Sequence, residues 1–217
     1  MTVVWDLPTR AFHWLLASAV TGLLVTGQVG GDRVMVWHGR LGYCVGTLLL
    51  FRLAWGFAGG HWSRFSSFPL SIAAAAAYVR DRKRVAAVGH SPLAALSVYS
   101  MLVFLALQVA SGLFSETKDD FAGPLSSLAS NATVHFITGY HKRVGQWVLI
   151  TLVTLHVAAV AFYFWSGRNL VNGMFHGRKA VDAGTRASRD DWIARLIAAL
   201  VMSLCSLVMW GITKLGN

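Results

Sequence analysis

Four of the chain's eight histidines, His13, His38, His141 and His156, fall inside or at the edge of long apolar runs. His61, His90 and His176 fall in polar connections, and His135 lies just ahead of one run. An ionisable ring inside an apolar span is expensive to bury, so it marks a functional site by default. A neutral imidazole nitrogen is also a common transition-metal ligand at physiological pH. Depth sorts the four. His141 and His156 are 15 residues apart, about 22 Å along a helix and about 60° apart around it. With consecutive spans alternating in direction, His13 shares the depth of His156, and His38 that of His141. Two imidazole pairs, one in each leaflet, suit two bis-histidine haems, flat apolar discs that a helical bundle can bury.

The neighbours of these histidines agree with a large flat ligand. Gly39, Gly42 and Gly46 form a small-residue seam beside His38, and Gly145 lies one turn after His141. Small residues let another helix, or a macrocycle face, come close. Arg40, Lys142 and Arg143 stand where the propionates of an external haem would lie. Arg52 stands at the depth of an internal one, with Arg10 and Arg168 as further choices. The guanidinium fork matches a carboxylate. His135 competes with His141 for the external ligand position. His61, His90 and His176 read as solvent-exposed or locally hydrogen-bonded.

Helices of membrane-crossing length must position these residues. Of the 217 residues, 55% are hydrophobic and 13% charged, and the mean hydropathy is +0.55. That excludes a disordered chain. Five apolar runs, at about 11–28, 37–58, 92–114, 141–165 and 192–213, approach or exceed the roughly 20 residues needed to cross a bilayer. Inside lipid the backbone must satisfy itself, so the runs predict helices. The first is not a cleavable signal, since its flank carries Asp6 and Pro8 and lacks a basic segment. Pro8 behind Asp6 and Pro92 behind Ser91 open spans one and three, where proline is tolerated. Gly30–Gly31 and Gly59–Gly60 close spans one and two. The alanine-rich stretch 70–82 predicts an interfacial helix.

Charge sets the orientation. The side that holds the N-terminus carries 13 Lys and Arg, against 6 on the other, which puts the N-terminus in the cytoplasm and the C-terminus outside. The net charge of +10 is then explained by topology and does not call for nucleic acid. The run Arg80-Asp81-Arg82-Lys83-Arg84 reads as a solvated face near anionic lipid, and Glu116, Asp119 and Asp120 as an external acidic loop. Tryptophans near the span ends form an aromatic belt. Cys44 and Cys205 cannot build a disulfide framework, a zinc site or a covalent haem attachment. The expected fold is all-α: an integral membrane bundle with a four-helix haem-binding core over 1–180. A linker and a fifth C-terminal span follow over 181–217.

Several segments resemble the bacterial cytochrome b561 and nickel–iron hydrogenase b-type cytochrome superfamily. They include Val4-Trp5-Asp6-Leu7-Pro8-Thr9-Arg10-Ala11-Phe12-His13-Trp14, His38-Gly39-Arg40-Leu41-Gly42-Tyr43 and Phe51-Arg52-Leu53-Ala54-Trp55-Gly56-Phe57. Gly89-His90-Ser91-Pro92-Leu93 and Leu155-His156-Val157-Ala158-Ala159 belong with them. The resemblance covers about 3–180, weakens over 115–135 and does not reach span five. It implies a bacterial inner-membrane protein holding two haem b groups, with ligands at His13, His38, His141 and His156. It implies electron exchange between ubiquinone or menaquinone and a partner: a periplasmic cytochrome c, a hydrogenase or, in some members, superoxide. In the family the two span-four histidines stand one residue closer, which puts Lys142 at the register of the expected ligand. A π-bulge would absorb that difference.

Membrane lipid is an expected partner, and self-association is compatible with the sequence. Two other functional classes compete with an electron conduit. One is a stand-alone superoxide–quinone oxidoreductase using Lys142 and Arg143 as a basic external patch. The other is a haem-free transport or scaffold subunit, for which no inverted repeat is evident.

Overall fold

Capping chemistry and apolar length set every long element in the computed structural model, which describes residues 1–80, 88–117 and 121–216. Helix α1 spans Leu7–Val29. Asp6 caps it, accepting from Thr9 N at 2.8 Å. It ends at Gly30 and Gly31, whose φ values of 66° and 86° suit residues without a Cβ. Helix α2 spans Asp32–Ala58. A short helix α3 covers Ile72–Arg80, close to the expected 70–82. Pro92 opens α4, Pro92–Leu113, and Ser91 caps it, its Oγ accepting from Ala94 N at 3.3 Å.

The fourth span departs from its expected bounds. Its apolar run begins at 141, but the helical stretch runs over Asn131–Trp165. It is built from α5, Asn131–Gly139, a π-helical segment, Tyr140–Gly145, and α6, Gln146–Trp165. The cap Ser130, whose side chain accepts from Thr133 N at 3.3 Å, starts it early. His135 is therefore helical and exposed, where the sequence placed it just ahead of the span. A seven-residue α7, Leu170–His176, and α8, Trp192–Ile212, complete the helices. The chain is an all-α membrane helical bundle, with five helices among the described residues long and apolar enough to span. Its exposed apolar side chains, among them Leu15, Leu155 and Leu204, are what lipid contact requires. Asp81, Arg82, Lys83 and Arg84 of the basic run, and Lys118, Asp119 and Asp120 between α4 and the fourth span, lie outside the described residues.

The chain forms two compact units. The first comprises Met1–Ala11, Arg52–Leu102 and Leu152–Leu200; the second comprises Phe12–Phe51, Val103–Thr151 and Val201–Asn217. The first is held by a polar node and a small sheet. Strands β1, Thr2–Val3, and β2, Arg178–Lys179, pair antiparallel. Gly177 O accepts from the amides of Val4 and Trp5 at 2.8 and 3.1 Å. Asp6 is fully buried. Besides Thr9 N, its carboxylate accepts from Ser63 Oγ at 2.7 Å, Gly60 N at 3.0 Å and Trp55 Nε1 at 3.3 Å. Ser188 N donates to Val3 O, and Ser188 Oγ to Val4 O at 2.7 Å.

His90 is a correction to the sequence reading. Its ring packs against Phe68 and Trp5, at centroid distances of 4.2 and 4.7 Å, and its buried Nδ1 finds no hydrogen-bond partner among the described residues. Burial first, then the positive charges of Arg52 and Lys179, lower its pKa to about 3. The ring is therefore neutral in the fold, whereas the unfolded chain takes up its proton from the ordinary value of 6.5 downward. Stability contributed by the neutral ring is present above pH 6.5 and is lost as the pH falls from there toward 3. About 2 kcal/mol is lost by pH 5. Thermal unfolding in detergent at pH 7.5 and pH 5 will show a steeper loss for the parent than for His90→Leu.

The second unit buries Val45, Leu48, Leu105, Leu149 and Met209. Gly46 lies where a Cβ would come 2.8 Å from Met209 Sδ and 3.3 Å from Val109. The structure thus gives Gly46 a packing role, letting α8 approach α2 and α4.

A cavity between two anchored imidazoles

Within the second unit, His38 of α2 and His141 of the π segment line one cavity of about 390 Å³. Their ring centroids are 6.2 Å apart, and the ring planes stand at 85°. Each ring is held through Nδ1. The Thr26 hydroxyl gives its proton to Gly22 O at 2.7 Å, so its oxygen accepts from His38 Nδ1–H at 3.0 Å. The Ser111 hydroxyl likewise donates to Gln108 O at 3.0 Å. Ser111 Oγ and Gln108 O then both accept from His141 Nδ1–H, at 3.0 and 3.1 Å. With both Nδ1 atoms protonated, the lone pair of each ring is on Nε2. Metal-binding histidines are oriented by the same device, the other ring nitrogen donating to an oxygen.

The π segment makes room for this arrangement. Its wider turn spans Tyr140–Gly145 and so carries His141 itself. It also disturbs the main-chain ladder, and Gln108 Nε2 donates to His141 O at 2.9 Å. Gly145 is buried against that amide. A Cβ there would collide with Gln108 Oε1, so Gly145 serves Gln108 and the π turn.

The glycines of the seam divide by role. Gly42 opens onto the cavity with nothing within 4 Å of an added Cβ, whereas Gly39 abuts the ring of Phe121. Gly27 and Gly112 matter more than the sequence suggested. A Cβ on Gly27 would stand 3.3 Å from His38 Cε1, and one on Gly112 3.0 Å from His141 Cε1. Gly112→Ala will therefore push the His141 ring off its two acceptors. Haem content is expected to fall toward half of the parental value, with helix content unchanged by circular dichroism.

These residues fit a haem. Two metal–imidazole bonds of about 2 Å each and two ring radii account for the 6.2 Å separation. The cavity lies within the roughly 300–1,000 Å³ usual for cofactor pockets. Among the described residues no group of three or more His, Cys, Asp and Glu could hold a bare metal ion. A macrocycle supplies the equatorial nitrogens that such a group would otherwise provide.

Of the remaining predicted residues, Lys142 alone borders this cavity, and it is exposed. Arg143 is exposed, and Arg40 is exposed with its guanidinium 5.0 Å from the Trp37 ring centroid. In the first unit, Arg52 is 4% exposed, donates Nη1 to Ser63 O at 3.0 Å and lies over the rings of Phe65 and Phe68. Arg10 donates Nη1 to Phe175 O and faces Asp190 at 3.8 Å. Arg168 is exposed. His13 is half-buried in α1 beside Trp14, and His156 is half-buried in α6. Thr26, Ser111 and Gln108 escaped the sequence reading. Their one signal is polarity within otherwise apolar spans.

Five apolar helices and a cavity that fits a macrocycle between two oriented imidazoles place the protein among membrane cytochromes of the b type. The chain belongs to the prokaryotic cytochrome b561 family, whose sequence profile matches residues 4–177. It is similar to a probable Ni/Fe-hydrogenase B-type cytochrome subunit of Bradyrhizobium diazoefficiens. The two are 26% identical over 214 residues, covering 81% of this chain and 85% of the relative. A protein of the same name from Rhizobium leguminosarum bv. viciae is 24% identical over 216 residues, covering 81% and 87%. No solved structure matches the chain. Family membership and the spans make this a multi-pass membrane protein that transfers electrons through haem b.

Proposed function

We propose that the protein carries electrons across the bacterial inner membrane between a quinone and a redox partner, through two haem b groups. The opposed and anchored pair His38 and His141 carries the reading. His38 and His141 would hold one haem through their Nε2 atoms, with Thr26 and Ser111 keeping the rings in orientation. Lys142 at the cavity offers its charge to a propionate. Bound haem supplies one-electron redox chemistry, and two histidine ligands leave no open position for oxygen or substrate. His13 and His156 are assigned to a second haem on the sequence alone, which gives them matching depths in alternating spans.

The names of the two relatives support a hydrogenase as the partner, with a periplasmic cytochrome c as the other choice. The lysine and arginine distribution supports a cytoplasmic N-terminus and a periplasmic C-terminus. Ubiquinone and menaquinone are the quinones to offer. The purified protein is expected to show a reduced-minus-oxidised b-type spectrum with two haems per chain, and to be reduced by a quinol analogue. Folded protein without haem overturns electron transfer. Haem reduced by superoxide but not by a quinol analogue points to a superoxide-oxidising activity.

A further inference from the structure

A separate cavity of about 180 Å³ lies in the first unit, at the end of α2 and the beginning of α8. Its wall joins Arg64, Arg186, Arg189 and His61 to an apolar face that includes Trp55 and Ile197. None of these residues lines the histidine cavity. Two of the arginine side chains are held through Nε. Arg64 Nε donates to Gly59 O at 2.8 Å, which fixes its fork and leaves the Nη groups to other acceptors. The backbone of Arg186 is tied down by Trp62 Nε1, which donates to Arg186 O at 2.7 Å. Arg189 uses Nε on Asp191 Oδ2 at 2.8 Å. Among the described residues no carboxylate pairs with Arg64 or Arg186. The wall thus carries three arginines, exposed to solvent, against one partner carboxylate, and it calls for an acceptor with several oxygens and negative charge.

We propose that this cavity binds a phosphate group, supplied by the headgroup of an anionic glycerophospholipid. Phosphate accepts from several guanidinium groups at once. Basic pockets at span ends are suited to such headgroups. Ala58 is the last residue of α2 and Trp192, strongly exposed, the first of α8. The cavity is therefore at headgroup depth, where tryptophan anchors lie. Its apolar wall has no use for a free ion. On α8, Leu196 and Leu200 next to Ile197 are exposed and give acyl chains a surface to lie on.

The test follows thermal unfolding of the haem-loaded protein in neutral detergent. Dioleoyl phosphatidylglycerol, dioleoyl phosphatidylcholine and inorganic phosphate are added separately at equal concentration. Phosphatidylglycerol alone is expected to raise the midpoint. Its apparent affinity should fall roughly thirtyfold in the Arg64→Gln, Arg186→Gln double variant. It should be unchanged in Arg178→Gln, an exposed arginine outside the cavity. An equal response to phosphatidylcholine, or an equal loss in Arg178→Gln, overturns the site. A response to inorganic phosphate equal to that for phosphatidylglycerol overturns the lipid as its source. Should the double variant fail to fold, native mass spectrometry of the parent decides. Preferential retention of phosphatidylglycerol over phosphatidylcholine supports the site, and equal retention overturns it.

Discussion

Alanine at His38 or at His141 is expected to halve the haem content of the purified protein. Each substitution leaves the opposite imidazole without its counterpart across the cavity, and a haem there would lose one of its two holding residues. The helices should survive, because both rings border empty space and carry little of the apolar packing. His135→Ala should leave the count at the parental value, since His135 is exposed and does not line the cavity. A pyridine haemochrome assay on the three variants decides, and imidazole added to His141→Ala should restore part of the lost haem. Equal counts in His38→Ala and the parent would refute the assignment. Loss in His135→Ala alone would move the ligand to that residue.

The second large effect concerns stability. Asp6→Ala removes the acceptor for four groups at once: the amides of Thr9 and Gly60, the Ser63 hydroxyl and the Trp55 indole. Each buried donor left unmade costs about 1–3 kcal/mol, and part of that is recovered where water enters. A net loss of about 3–5 kcal/mol is expected, in line with breaking other buried charged networks. Ser63→Ala deletes one donor and its hydroxyl together, and should cost about 1 kcal/mol. Midpoints of denaturant unfolding in detergent give both values. Similar midpoints for Asp6→Ala and Ser63→Ala would show that the carboxylate does not organise the first unit.

The histidine pair was legible because an imidazole is costly to keep in an apolar run unless it meets a ligand or a polar partner there. His38 and His141 stood out by type, and alternation of the spans matched them in depth. The residues that aim them did not stand out. Thr26 and Ser111 look like any hydroxyl in a membrane helix that bonds back one turn, and both do so while also meeting an imidazole. Only the packing of α1 on α2, and of α4 on the π segment, turns that habit into an anchor. His90 failed in the other direction. A histidine between glycine and serine reads as surface loop, and its burial depends on Trp5 and Phe68, far away in sequence. The early start of the fourth span was hidden for a local reason. Asn131, Thr133 and His135 are not apolar, so hydropathy stops at 141, whereas a serine cap and backbone bonding continue the helix to 131.

Consider finally when the first strand can be secured. The Val4 carbonyl is bonded by Ser188, a separation of 184 residues, and the Val4 and Trp5 amides depend on Gly177. At about 5–20 residues per second, synthesis takes roughly 10–40 s to cover that distance. Throughout that interval the leading segment has left the ribosome without its partners. The segments just before α1 and just after α2 supply the first internal clasp, through Gly60 and Ser63 on Asp6. Closure of the β1–β2 pair is among the last events of biogenesis, and it reports that the fourth span has already been delivered to the bilayer.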